Sequence, residues 1–354
     1  MTEDKKRLGY IDCAKFIGIF LLLVEHTGNW ADISGHAYDT LKIWICSFHM
    51  PLFFIIYGMV ASRKERNGKG EWLQFLDGKI KSLIIPYILW AMIYAKNINI
   101  EFLVGLGYGS NPSLQYAGTN AVLWFLPVMF LSCCMYQLSV ILEKKFANKI
   151  KIVVIAQVII PILLSYVGSV FGSRLSYRIP WGFDLAFMGF SFMMLGRYVI
   201  KPVFDRVIER NSKVQLLLMA MACFLIGGIM AYINRPTNNV YGVGVNVMAL
   251  GVYGRSIILF VLTALINTFG VILISSVISN RVFEYMGKSS LVIMALHYII
   301  FPYSIWICGR LLNNMITIHG FGVMYTLLNA VIVVAVCVLP VWLVNRYAKI
   351  LNGK

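Results

Sequence analysis

The sequence predicts an all-α polytopic membrane protein, a helical bundle of about ten transmembrane helices with both termini cytoplasmic. Three observations carry that expectation. Hydrophobic residues fill 59% of the 354 positions and charged residues only 13%, against about 45–50% and about 25% in soluble domains. Apolar runs of the roughly 20 residues that a helix needs to cross a bilayer recur from end to end. Lysine and arginine, 31 against 15 acidic residues, gather between alternate runs. Residues 1–354 therefore read as a single integral membrane domain. The net charge of +16 belongs to inner loops, so the bilayer is an expected partner and nucleic acid is not.

The spans are expected at about 10–30, 41–62, 80–95, 121–142, 150–172, 179–200, 214–233, 255–279, 289–309 and 323–344. The start MTEDKKRLGY has the charge of a signal-peptide n-region. Asp12 and Lys15 interrupt the apolar entry, however, and no small-residue cleavage site follows, so the first span reads as a retained start-transfer helix. The third span is short and contains Pro86. With the N-terminus inside, inner segments hold 22 Lys and Arg and outer segments hold 7, among them Lys42, Arg235 and Arg255. That is a positive-inside pattern. Two outer segments, 96–120 and 234–254, are long and rich in Gly, Asn and Pro. They read either as covers over a site or as plain connections. The seven cysteines all fall in apolar segments without zinc spacing, which supports neither a disulfide framework nor a metal site.

An ionisable side chain within a span is costly unless it pairs or lines a polar cavity, so each one is a candidate for function. The first span holds Asp12, Lys15, Glu25 and His26. Lys15 and His26 are eleven residues apart, about three helical turns, which puts them on one face about 16 Å apart along the axis. Asp12 lies one turn before Lys15, where it can pair with it. Glu25 points about 100° away from His26, either to orient a neighbour or to face water. His49 precedes Pro51, which should kink the second span, and His297 lies within the ninth. Asp184 and Arg197, in the sixth span and at its inner end, are weaker candidates. His36 and His319 fall in outer loops. A transporter is the alternative reading, with Lys15, His26 and Asp184 as relay groups, but no matched pair of broken helices supports it.

At these residues the chain resembles the acyltransferase family three membrane proteins, which include bacterial polysaccharide and lipopolysaccharide O-acetyltransferases. The stretch RLGYIDCAKFIGIFLLLVEH (Arg7 to His26) resembles the family's first helix, with a basic residue, ten residues, then histidine. FHMPLFFIIYG (Phe48 to Gly58) resembles its second, with Tyr57 in place of the usual small residue. KIKSLIIPYILW, LWFLPVMF (Leu123 to Phe130) and MGKSSLVIMALH resemble its third, fourth and ninth. Two departures stand out. Lys15 replaces an arginine found in many members, and Glu25 stands where glycine commonly precedes the histidine.

The resemblance implies transfer of an acyl group, usually acetyl, from cytoplasmic acetyl-CoA to a hydroxyl of a saccharide, a lipid-linked saccharide or another cell-envelope acceptor. It also implies a bacterial inner-membrane location. Acetyl-CoA would be a donor substrate, with no tightly bound cofactor. His26 would act as general base or acyl carrier, with Lys15 in the catalytic set; Glu25, a departure from the family, is placed in that set by its position next to His26 and not by the resemblance. Arg7, Asp12, Lys79, Lys81 and Arg197 would serve binding from the basic side. His49, Trp124 and His297 would shape the cavity.

Overall fold

The structure is a computed structural model that describes residues 9–33, 35–61, 68–237, 244–312 and 321–354. Sixteen α-helices follow one another among these residues: α1 Gly9–Trp30, α2 His36–Cys46, α3 His49–Val60, α4 Lys69–Lys79, α5 Ile85–Tyr94, α6 Ile100–Tyr108, α7 Asn111–Tyr116 and α8 Phe125–Lys145. They continue with α9 Ile150–Gly172, α10 Phe183–Leu195, α11 Lys201–Arg210, α12 Lys213–Ile233, α13 Ile257–Ile278, α14 Arg281–Gly287, α15 Ser290–Leu311 and α16 Gly322–Tyr347. The described residues form no strand, only one isolated bridge between Val247 and Val252.

Eight helical stretches among the described residues are long and apolar enough to cross a membrane. They correspond to eight of the ten expected spans. The other two, 10–30 and 80–95, are helical but stand outside that set. α1 has the length, but Asp12, Lys15, Glu25 and His26 lower its apolarity. The second is a five-residue π-helical turn, Ile80–Ile84, followed by the ten residues of α5.

Proline explains several local departures from straight helices. The expected kink at Pro51 is a full break at Ser47–Phe48, which leaves Pro51 in the first turn of α3, where its missing N–H has no intrahelical acceptor to lose. The turn itself keeps the carbonyls at the break paired, Ser47 N donating to Trp44 O and Phe48 N to Ile45 O. Side chains add to them: Ser47 Oγ donates to Trp44 O at 2.6 Å, and His49 Nδ1 lies 2.9 Å from Ile45 O. The π-helical turns Ile80–Ile84 and Gly196–Ile200 each come just before a proline, Pro86 and Pro202. Each widened turn carries the chain past a missing N–H without ending the helix. The sixth span therefore runs on through α11 to Arg210.

α1 lies at the centre, packed on α3, α13, α14, α15 and α16. The apolar window of His36–Val60 is 78% buried inside the protein, whereas those of α9 and α12 are 17% and 22% buried. Exposed leucine and isoleucine on α9 and α12 thus mark the lipid-facing periphery. A buried ion pair, Arg178 Nη2 to Asp184 Oδ2 at 2.8 Å, sits at the start of α10, and Arg178 also donates to Leu250 O. This clamp ties segment 173–182 to segment 244–254 and gives Asp184 a structural partner.

Candidate active site

Two cavities meet along α1. The smaller, about 260 Å³, is lined by Lys15, Ile19, Tyr57, Lys288 and Asn352 among others. The larger, about 610 Å³, is lined by Glu25, His26, Asn29, His49, Trp124 and Tyr298 among others. Leu22, Met50 and Met294 line both. The expected face of α1 therefore runs along both cavities, with Lys15 in the lysine chamber, His26 in the histidine chamber and Leu22 between them. Asp12 is buried and pairs with Lys15 at 3.3 Å. Both long segments contribute to the histidine chamber, through Asn111, Gln115 and Thr119 and through residues 245–249.

Two close approaches set the far end of α1. A Cβ on Gly28 would overlap the Tyr38 hydroxyl. Its absence lets that hydroxyl donate to Glu25 O at 2.8 Å, locking α2 against the last turns of α1. Thr27 Oγ1 accepts from Asn329 Nδ2 at 2.9 Å, which holds α16 on another side.

The protonation pattern of the imidazoles follows from their partners. His297 is fully buried, and its Nδ1 lies 2.6 Å from Met294 O. A carbonyl only accepts, so this nitrogen carries the proton and the neutral ring keeps its lone pair on Nε2. His26 Nδ1, 3.1 Å from that Nε2, must then donate to it. The other nitrogen of the His26 ring, Nε2, lies 3.2 Å from Glu25 Oε2. The Glu25 carboxylate is largely buried and turned toward the histidine that follows it, at the wall of the chamber. Its Oε1 accepts from Asn29 Nδ2 at 2.8 Å. The Tyr298 ring packs on both imidazoles, 5.5 Å from His26 and 4.5 Å from His297.

The remaining expected site residues divide. His49 donates through Nδ1 to Ile45 O, so its neutral ring keeps a lone pair on Nε2, and it lines the histidine chamber. Trp124, 5% exposed, lines the same chamber. Buried indole N–H groups usually find an acceptor, as those of Trp44 and Trp90 do. Among the described residues the Trp124 N–H has none. Lys79 sits 4.7 Å over the Tyr57 ring, which lines the lysine chamber, and does not line that chamber itself. Lys81 is exposed and paired with Asp77 at 2.7 Å, and Arg197 packs by Tyr198; neither lines a chamber. Arg7 and His319 lie outside the described residues. Sequence reasoning missed Lys42, Asn29, Lys288, Tyr298 and Asn352. Lys288 stands in the MGKSSLVIMALH stretch, which was a usable signal.

The helical bundle thus holds a lysine in one chamber and a Glu25–His26–His297 cluster in the next. The chain belongs to acyltransferase family three: the family's sequence model, described as an acyltransferase domain, matches residues 8–345. No curated protein and no solved structure matches the chain.

Proposed function

We propose that the protein is an inner-membrane O-acetyltransferase. In this reading it moves an acetyl group from acetyl-CoA, entering by the lysine chamber, to a hydroxyl of a saccharide or other cell-envelope acceptor held in the histidine chamber. The observation that carries the reading is that the two chambers are neighbours along α1, with Leu22, Met50 and Met294 lining both. Lys15 and His26 are about 16 Å apart along α1, a span suited to an extended pantetheine arm. Lys15 and Lys288 supply positive charge for the anionic nucleotide end. Amide side chains such as Asn111 and Gln115 suit a polyhydroxyl acceptor.

The chemistry follows from the gap between His26 Nε2 and Glu25 Oε2. With both imidazoles neutral, two acceptors face that gap and neither brings a proton. The acceptor hydroxyl gives its proton to His26 Nε2 while its oxygen bonds to the thioester carbon. Glu25 stabilises the imidazolium that forms, and His297 holds the ring by its other nitrogen. The Trp124 N–H donates to the carbonyl oxygen as it becomes an oxyanion. Collapse breaks the C–S bond, and the CoA thiolate takes the proton back from His26.

The test is incubation of purified protein in liposomes with radiolabelled acetyl-CoA and cell-envelope glycan. Label appearing in the glycan as base-labile ester supports the reading. A folded protein that forms no ester with any envelope fraction contradicts it.

A further inference from the structure

Lys42 reads in the sequence as one of the outer-side charges. In the structure it is 3% exposed, inside α2, and its Nζ donates to Asn29 Oδ1 at 2.6 Å. An ammonium group only donates, so this bond turns the Asn29 amide oxygen toward Lys42 and its NH₂ toward Glu25. That NH₂ reaches Glu25 Oε1 at 2.8 Å, and Glu25 Oε2 faces His26 Nε2 at 3.2 Å. A continuous line of polar groups thus joins a buried cation on α2 to the imidazole on α1. From this geometry we infer that Lys42 is a positioning residue for the acyl transfer proposed above, acting through Asn29 to hold Glu25 in place as an anion beside His26.

The physical reason is charge balance. A carboxylate away from water needs a cation or a proton. With Lys42 in place Glu25 has a cationic partner one amide away, so the gap at His26 stays free to receive the substrate's proton. Without it, the cheapest source of neutrality is a proton held in that same gap, where it blocks the base. The other groups that face Glu25 and His26 do not replace the cation. Tyr38 donates to the Glu25 main chain, the Cys46 thiol contacts the carboxylate, and His49, His297 and Tyr298 pack around the rings. Of these only the imidazoles can become cationic, and in doing so they would take up the proton at issue.

The inference rests on the acyltransfer reading, and wild-type protein run in parallel separates the two. If wild type forms no ester, the function fails. If wild type is active, Lys42→Met is compared with it over pH 6 to 9.5. The expected result is a kcat at pH 7 lowered about tenfold or more, with the acidic limb of the profile moved up by about one pH unit or more and activity recovering toward pH 9. KM for acetyl-CoA should change less than about twofold, because the donor chamber is untouched. Asn29→Leu keeps Lys42 but cuts the line, and it should move the limb the same way; it also serves if Lys42→Met does not fold. Combining the two should add little beyond the larger single effect. An acidic limb that stays in place in both variants, or a loss equal at every pH, overturns the assignment.

Discussion

At the scale of residues, the site rests on acceptors that face each other and on donors left free. Glu25→Gln keeps the shape but removes the charge that stabilises the His26 imidazolium, so kcat should fall about 100-fold or more with little change in thermal stability. A variant within about threefold of wild type would remove Glu25 from the chemistry. Trp124→Phe keeps an aromatic wall and deletes the free N–H. The expected result is a drop of about 10²- to 10³-fold in kcat at nearly constant KM, the signature of a lost oxyanion donor. A change in KM alone would make Trp124 a wall and nothing more. The pairing of Lys15 with Asp12 and the shared face of Lys15 and His26 were legible from helical spacing. The orientation of Glu25 was not, because the 100° separation of neighbouring residues describes where their bonds to the backbone point. It does not describe where a long side chain, bent back by Asn29, ends. Lys42 was illegible for a related reason: a lysine near a span end reads as a boundary, and its partner lies 13 residues away across a turn.

At the scale of elements, helices read correctly from apolar runs but their irregularities did not. α9, α12 and α13 match the expected spans closely, since each is a long apolar run ended by polar residues. The break at Ser47–Phe48 and the two π-helical turns depend on how a proline's missing N–H is accommodated, which periodicity cannot show. The boundary between the chambers gives a prediction at this level. On the proposed route from one chamber to the other, Leu22→Trp should narrow the way, so acetyl-CoA should still raise the thermal midpoint while ester formation is lost. Unchanged transfer by a folded Leu22→Trp protein would argue against a route past Leu22. A second prediction concerns packing. A Cβ on Gly58 would lie 1.9 Å from Met193 O, so α3 and α10 touch backbone to backbone there. Gly58→Ala should lower the thermal midpoint, with a destabilisation of about 1–3 kcal/mol. An unchanged midpoint would mean the helices can separate freely.

At the scale of the whole molecule, the account requires the two chambers to open toward opposite sides of the membrane. From the distribution of Lys and Arg, tags at residues 68 and 210 should report the cytoplasm and a tag at residue 112 the outside. A tag at residue 68 reporting the outside would reverse every depth assignment. The membrane class was legible from composition, and the family from ordered short stretches spread along the chain. The chambers were not, because they are built by residues far apart in sequence, such as Leu22, Met50, Trp124 and Met294. The central claim is that His26 takes the acceptor's proton while donor binding is carried from the lysine side. The measurement that tests it most directly compares wild type with His26→Ala, matched for amount, for both radiolabelled acetyl transfer and stabilisation by acetyl-CoA. The account predicts that the variant keeps the acetyl-CoA stabilisation and loses transfer. Full transfer by a well-folded His26→Ala protein would contradict it.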